Sequence, residues 1–266
     1  MPKNTTDLTF EATGTVWRVR IFETVSPSKL SQVLNETIAH YSLIFSRFDP
    51  ESALYRLNQS KVLHSPPLEL VYLLNQCYLM SAITHGAVTP EIGAILEKQG
   101  YGHTEQTLPL ISQPLHISTE QITLPNTVLL DLGCCAKGYI VDRVAEKIYD
   151  AISPYFIINA GGDIYASSDN GNPIEVGIEH PLTREIVQHT QLLHSACCSS
   201  SNELRTWQHH GQHHAHIIAQ NPPLGVSVAA KKAGLADLLT TALFTTGTQN
   251  LPQLQAQYGE FDYIIF

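Results

Sequence analysis

Positive charge is scarce in this chain. Fifteen lysines and arginines stand against 24 aspartates and glutamates, a formal net charge of −9, which argues against nonspecific attachment to nucleic acid or to an anionic membrane surface. A local anion site survives that argument, because a bound cation can reverse the field where it matters. Long apolar runs are missing too. Nothing approaches the roughly 20 residues of a membrane-spanning helix, and the opening M-P-K-N-T-T-D-L-T-F has neither the apolar core nor the cleavage site of a secretory signal. The expectation is a cytoplasmic protein with no membrane or nucleic-acid partner. The five cysteines, Cys77, Cys134-Cys135 and Cys197-Cys198, match neither C-x-x-C nor a zinc spacing. They read as small, mostly buried thiols of a reducing compartment. Neither G-x-x-x-x-G-K-S/T nor G-x-G-x-x-G occurs, which excludes a Walker loop and a dinucleotide-binding turn.

With 43% hydrophobic residues over 266 positions, the chain can bury a substantial core. One domain is expected over residues 1–266, with an excursion near 102–127, where Thr, Pro and Gln dominate in short alternating pieces. Gly14 to Phe22 alternates as a strand. Helices are expected from Pro27 to Phe48, from Pro66 to Thr84 and from Leu235 to Thr246, with a turn-rich connector from Gly86 to Leu96. Tyr155 to Ala166 reads as two buried strand fragments broken by Gly161-Gly162. Ile174 to Ile178, Val187 to His194, Val226 to Ala229 and the terminal F-D-Y-I-I-F add further strands. A hairpin about Gly211-Gln212 is expected to lead into a strand at Ile217-Ile218. Strands and helices mix without regular βαβ alternation, which predicts an α+β fold.

The central stretch runs from Leu129 to Ile148, L-L-D-L-G-C-C-A-K-G-Y-I-V-D-R-V-A-E-K-I, and reads as strand, loop, helix. Its loop holds a carboxylate, two glycines and a lysine, the chemistry that suits an anion at a helix N-terminus. The competing view is that Gly133 and Gly138 only allow unusual dihedrals, Asp131 caps the helix and Lys137 sits in water. Asp237 and Thr241 are four apart on one helix face, a spacing that suits a hard cation such as Mg²⁺, although Asp237 could instead be an N-cap. His209, His210, His213 and His214 fit a solvated hairpin better than a metal site. His216, just before Ile217, is a candidate acid/base residue held at a strand mouth.

Taken together, G-T-V-W, S-R-F-D-P-E-S-A-L-Y-R-L-N, D-L-G-C-C-A-K-G-Y-I-V-D, N-A-G-G-D-I, H-I-I and A-D-L-L-T-T-A-L-F resemble the ApbE family of FAD:protein FMN transferases. The resemblance implies a two-lobed, T-fold-related α+β architecture with FAD in the cleft and Mg²⁺ on its pyrophosphate. It also implies transfer of FMN from FAD to a Ser or Thr hydroxyl of an acceptor flavoprotein, with release of AMP. By position, Asp131 and Lys137 would hold the flavin nucleotide, and Thr13, Phe48, Ala87, Val88, Thr89 and Ile217 would line its pocket. The Cys134 carbonyl, Asp237 and Thr241 would bind the metal, and His216 would assist the acceptor hydroxyl. A binder that holds FAD without transferring it, or hydrolyses it slowly, is the alternative. The chain departs from the family pattern at Phe48 (usually Tyr), Thr89 (usually Asp), Ala219-Gln220 (usually Asp-Pro) and Ser199-Ser200-Ser201 (usually Thr-Ser-Gly).

Overall fold

The computed structural model describes residues 5–102, 112–203 and 206–266. Its first strands, β1 (Thr6–Ala12) and β2 (Thr15–Ile21), pair antiparallel with Ala12 opposite Thr15. The two intervening residues, Thr13 and Gly14, both have positive φ, 48° and 70°, as a two-residue type I′ hairpin requires. Period two then buries Trp17, Val19 and Ile21 while Arg18 and Arg20 face out. Strand β1 escapes a pattern search because only Thr6 on it is fully buried.

Helix α1 (Pro27–Phe45) stops three residues earlier than expected. Ser46 turns extended there, and its Oγ accepts the amides of Phe48 and Asp49 at 3.2 and 3.1 Å, so Arg47 and Phe48 sit in a turn. Helix α2 (Ala53–Ser60) is capped by Ser52 and leads to β3 (Val62–His64) and α3 (Leu68–Ile83). The expected connector contains a 3-10 turn, Pro90–Ile92, and a short helix, α4 (Gly93–Lys98). Residues 103–111 of the expected excursion lie outside the described residues. Beyond them β4 (His116–Ile117) and β5 (Gln121–Thr123) join β3 in a small antiparallel sheet.

The apolar run Val128 to Leu130, expected as a strand, joins no sheet. Helix α2 and its C-cap satisfy its backbone instead. Asn58 brackets Leu130, its amide donating to the Leu130 carbonyl and its carbonyl accepting the Leu130 N–H, both at 2.8 Å. The buried Lys61 ammonium donates to the Val128 carbonyl at 2.7 Å. Side chains thus supply the ladder bonds that a neighbouring strand would have made, and they hold the chain just before Asp131.

Helix α5 (Ala136–Ala151) follows, then β6 (Phe156–Ala160), β7 (Asp163–Ser167), β8 (Ile174–Glu179), β9 (Ile186–Leu192) and β10 (Ser195–Ser200). The hairpin β11 (Thr206–His209) and β12 (Gln212–Ala215) forms as expected, but no strand continues into Ile217-Ile218. Strand β13 (Val226–Ala230), α6 (Ala233–Thr246), the unforeseen α7 (Leu251–Tyr258) and β14 (Asp262–Ile265) complete the chain.

The main sheet has the order β1-β2-β6-β7-β10-β13-β14, antiparallel throughout. Helices α5 and α6 cover one face, with α1 packed on α5. The β8–β9 ribbon covers part of the other, where Val176, Ile178 and Leu192 meet Ala166 and Cys197 in a second, smaller core. No helix among the described residues is long and apolar enough to cross a membrane.

The α5–α6 contact needs Gly138 for space rather than dihedral freedom. Its φ is not positive, and a Cβ there would collide with the Ala233 carbonyl and lie 2.8 Å from the Asp237 Cβ. Asp142 on α5 then caps α6, accepting the Ala233 and Gly234 amides at 2.8 and 2.9 Å. Asp237 is therefore no N-cap; that position is Lys232.

Burial pushes the Lys61 ammonium down from 10.5 to about 8. Between those values the unfolded chain holds a proton that the folded chain has released, so stability rises with pH across the window. Urea unfolding at pH 8 and pH 10.5 should show a gain on the order of 3 kcal/mol that Lys61→Met, lacking the titrating group, does not show.

Candidate active site

A cleft of about 490 Å³ lies between the turn after α1, the α4 segment, the N-terminal end of α5, the Gly161 turn and one face of α6. That volume falls within the range of small-molecule sites. Thr13, Phe48, Ala87, Val88, Thr89, Asp131, Cys134, Lys137, His216, Ile217, Asp237 and Thr241 all line it. The structure therefore brings all twelve residues that the resemblance assigned to a site to one cavity.

Lys137 and Asp237 line the floor of the cleft, and Asp163 is fully buried directly behind Lys137. The Gly161-Gly162 turn between β6 and β7, with φ of 64° and 103°, aims Asp163 back at helix α5. The Asp163 carboxylate pairs with the Lys137 ammonium through Oδ2, while its buried Oδ1 has no hydrogen-bond partner among the described residues. Lys137 is thus an ion-paired wall residue and not a solvated one. Burial works against its charge, but Asp163 and Asp237 outweigh that and hold its pKa above the ordinary lysine value. Asp237 is 5% exposed and accepts the Gly138 amide at 3.0 Å. Burial first, and the Asp163 charge second, raise its carboxyl well above the usual aspartate range.

With both carboxyls ionised, two negative charges against one ammonium leave a negative surplus at the cleft floor, which is costly out of water and is what draws a proton to Asp237. Thr241, one turn beyond Asp237, adds a hydroxyl on the same face; it donates to the Asp237 carbonyl at 3.2 Å and keeps its lone pairs. Hard oxygen donors around an uncompensated negative charge fit a hard divalent cation.

Asp131 does not cap α5, whose N-cap residue Cys135 makes no side-chain bond to the helix. Its Oδ1 accepts the Gly133 amide at 2.7 Å, and its Oδ2 pairs with Arg47 Nε at 2.5 Å. Arg47, like Asp163, is a residue that sequence reasoning missed. It is 2% exposed, also binds Glu97 at 3.1 Å and the Tyr101 carbonyl at 2.6 Å, and stacks on the Phe48 ring at 4.3 Å. One buried guanidinium thereby ties the α1 turn, α4 and the Asp131 loop into a single wall.

The loop carrying His216 is held by Asn202, whose amide donates to the Ile217 carbonyl at 2.9 Å. Beside it Ser200 donates to Thr240 at 2.8 Å, and Thr240 donates to the Asp237 carbonyl at 2.8 Å. The histidines of the β11–β12 hairpin do not converge on a metal position among the described residues.

The model of the ApbE family matches residues 13–265. The chain belongs to that family. Among its relatives, the FAD:protein FMN transferase of Haemophilus influenzae is 24% identical, covering 95% of this chain and 84% of that protein. The one from Chlamydia muridarum is 26% identical, covering 86% and 80%. The ApbE protein of Thermotoga maritima superposes with a TM-score of 0.80 at 21% identity, over 98% of this chain and 94% of that one. The flavin transferase ApbE of Vibrio cholerae gives 0.79 at 18% identity, over 98% and 93%.

Two departures from the family pattern have a local physical account. Thr89 caps the 3-10 turn through Glu91 N–H at 3.2 Å, which an aspartate also does. Phe48 keeps its ring on Arg47 and edge-on to Tyr101, 5.8 Å away; only a hydroxyl is lost. The Ala219-Gln220 departure has no explanation in the structure.

Arg47→Met should uncover Asp131 and Glu97 together. Removing one partner of a buried pair costs about 3–5 kcal/mol, so the urea midpoint should fall sharply, and Arg47→Lys should recover only part because it cannot serve three acceptors in fixed directions.

Proposed function

We propose that the protein is a Mg²⁺-dependent transferase that moves FMN from FAD to a Ser or Thr hydroxyl of an acceptor flavoprotein and releases AMP. The observation that carries this reading is the pair of buried carboxyls, Asp237 at the floor of the cleft and Asp163 behind it, set against the one ammonium of Lys137 in a cleft that also holds His216, in a chain of this family. Asp237, Thr241 and the Cys134 carbonyl would hold Mg²⁺, which supplies charge neutralisation on a pyrophosphate.

The remaining roles belong to the chain itself. Lys137, fixed by Asp163, presents a positive charge to the phosphates without having to be ordered on binding. Asp131, fixed by Arg47, accepts hydrogen bonds from the nucleotide, and Thr13, Phe48, Ala87, Val88, Thr89 and Ile217 cover its flat apolar parts. His216 takes the proton from the attacking hydroxyl. The new bond joins that oxygen to the FMN phosphorus, the bond to the AMP phosphate breaks, and AMP leaves with the electron pair.

Protein incubated with FAD, Mg²⁺ and a candidate acceptor should yield AMP and in-gel flavin fluorescence on the acceptor in equal amounts. Flavin bound without AMP would identify a binder, and AMP with free FMN but no labelled protein a hydrolase. Chelation by EDTA, or Asp237→Ala, should abolish AMP release. Because a proton and the cation compete for the raised Asp237 carboxyl, the Mg²⁺ concentration needed for half-maximal rate should rise as pH is lowered, starting well above the ordinary aspartate range.

A further inference from the structure

Three of the five cysteines, Cys77 and the adjacent pair Cys134-Cys135 that begins 57 residues later, meet in space. Cys77 on α3 places its Sγ 3.7 Å from that of Cys134 and 3.3 Å from that of Cys135, and all three sulfurs lie within 4.8 Å of one another. Cys77 and Cys135 are 0% and 1% exposed, whereas Cys134 also lines the cleft. All three are free thiols. We propose that Cys77, Cys134 and Cys135 form a three-thiolate site for a soft monovalent cation, Cu(I).

Thiolates select soft cations such as Cu(I). Metal–thiolate bonds of about 2.3 Å in a trigonal plane separate the sulfurs by about 4.0 Å, so the cluster reaches that geometry by shifts of under about 1 Å. Zn²⁺ is the poorer fit, because structural zinc closes a tetrahedron with four ligands. No fourth Cys, His, Asp or Glu joins the group among the described residues. Cys135 is the N-cap of α5 and Cys134 precedes it, so these two sulfurs sit at the positive end of a 16-residue helix dipole, which offsets part of the burial that keeps both thiols protonated until a cation displaces the protons. Cys134 at the cleft wall provides the entry path that a bound ion needs. The competing account is a set of inert thiols packed as small hydrophobes.

The test needs no flavin and is independent of the transferase reading. Reduced, anaerobic protein is titrated with Cu(I) presented as its bicinchoninate complex. Wild type should withdraw one equivalent, and X-ray absorption should count three sulfur neighbours. Changes outside the ligand shell alone cost about 10–100-fold in metal affinity, so Cys77→Ser, Cys134→Ser and Cys135→Ser should each weaken binding by at least the upper end. Cys197→Ser, in the smaller core under the β8–β9 ribbon, should bind as wild type does. Cys134 is only partly buried, so its variant, checked by circular dichroism without copper, keeps the test valid if the buried variants misfold. Failure of wild type to withdraw copper, a sulfur count other than three, or equal loss in Cys197→Ser would overturn the proposal.

Discussion

The ion pair between Lys137 and Asp163 is the constraint around which the cleft is organised. It spans helix α5 and strand β7 across the floor of the cavity, with Asp237 of α6 close enough to act on both. A buried pair of this kind is weak evidence of stability, since desolvation offsets much of its attraction. Here it is also incomplete, because the second carboxylate, Asp237, shares that one ammonium at a distance and accepts a backbone amide rather than an ion-pair partner of its own among the described residues. The geometry therefore concentrates a demand for positive charge at one point, which a hard cation would meet.

That arrangement depends on how closely α5 and α6 approach. Gly138 removes the Cβ that would hold them apart, its amide reaches Asp237, and Asp142 caps α6 one turn further along. Burial pushes the Asp142 carboxyl up to about 6 against the pull of those two amides, so the cap works in an environment that resists its charge. Arg47 performs the corresponding task on the opposite wall, where the sequence between α1 and α2 contributes no element of its own but a turn pinned by Ser46 and Ser52.

Much of this was legible in the chain itself. The alternation of Trp17, Val19 and Ile21, the periodicity of α1, α3 and α6, and the two strands around Gly161-Gly162 follow from side-chain period alone. The family motifs collected twelve residues that all reach one cavity. What escaped did so for physical reasons. Val128 to Leu130 has strand composition, yet its hydrogen bonds go to Asn58 and Lys61, a tertiary substitution that no local pattern encodes. Strand β10, S-A-C-C-S-S, is small and hydroxyl-rich and so looks like loop, although it lies in the middle of the main sheet. Helix α7 follows a glycine and asparagine region and begins with proline at its first turn, which hid its start. Arg47 and Asp163 were both inside quoted motifs, but a partner 84 or 26 residues away decides what each does. The thiol cluster is the same lesson in another chemistry: spacing excluded a zinc motif, and folding assembled three sulfurs regardless.

The claim that the charge surplus at the cleft floor marks the cation site can be put to diffraction directly. Crystals soaked with Mn²⁺, which takes the same hard oxygen ligands as Mg²⁺, together with FAD, should give one anomalous peak in the cleft. It should be bounded by the Asp237 carboxylate and the Thr241 hydroxyl, with the nucleotide phosphates on its open side and the Lys137–Asp163 pair intact. A cleft that takes up FAD with no anomalous peak at Asp237, or a peak elsewhere on the molecule, would contradict the account.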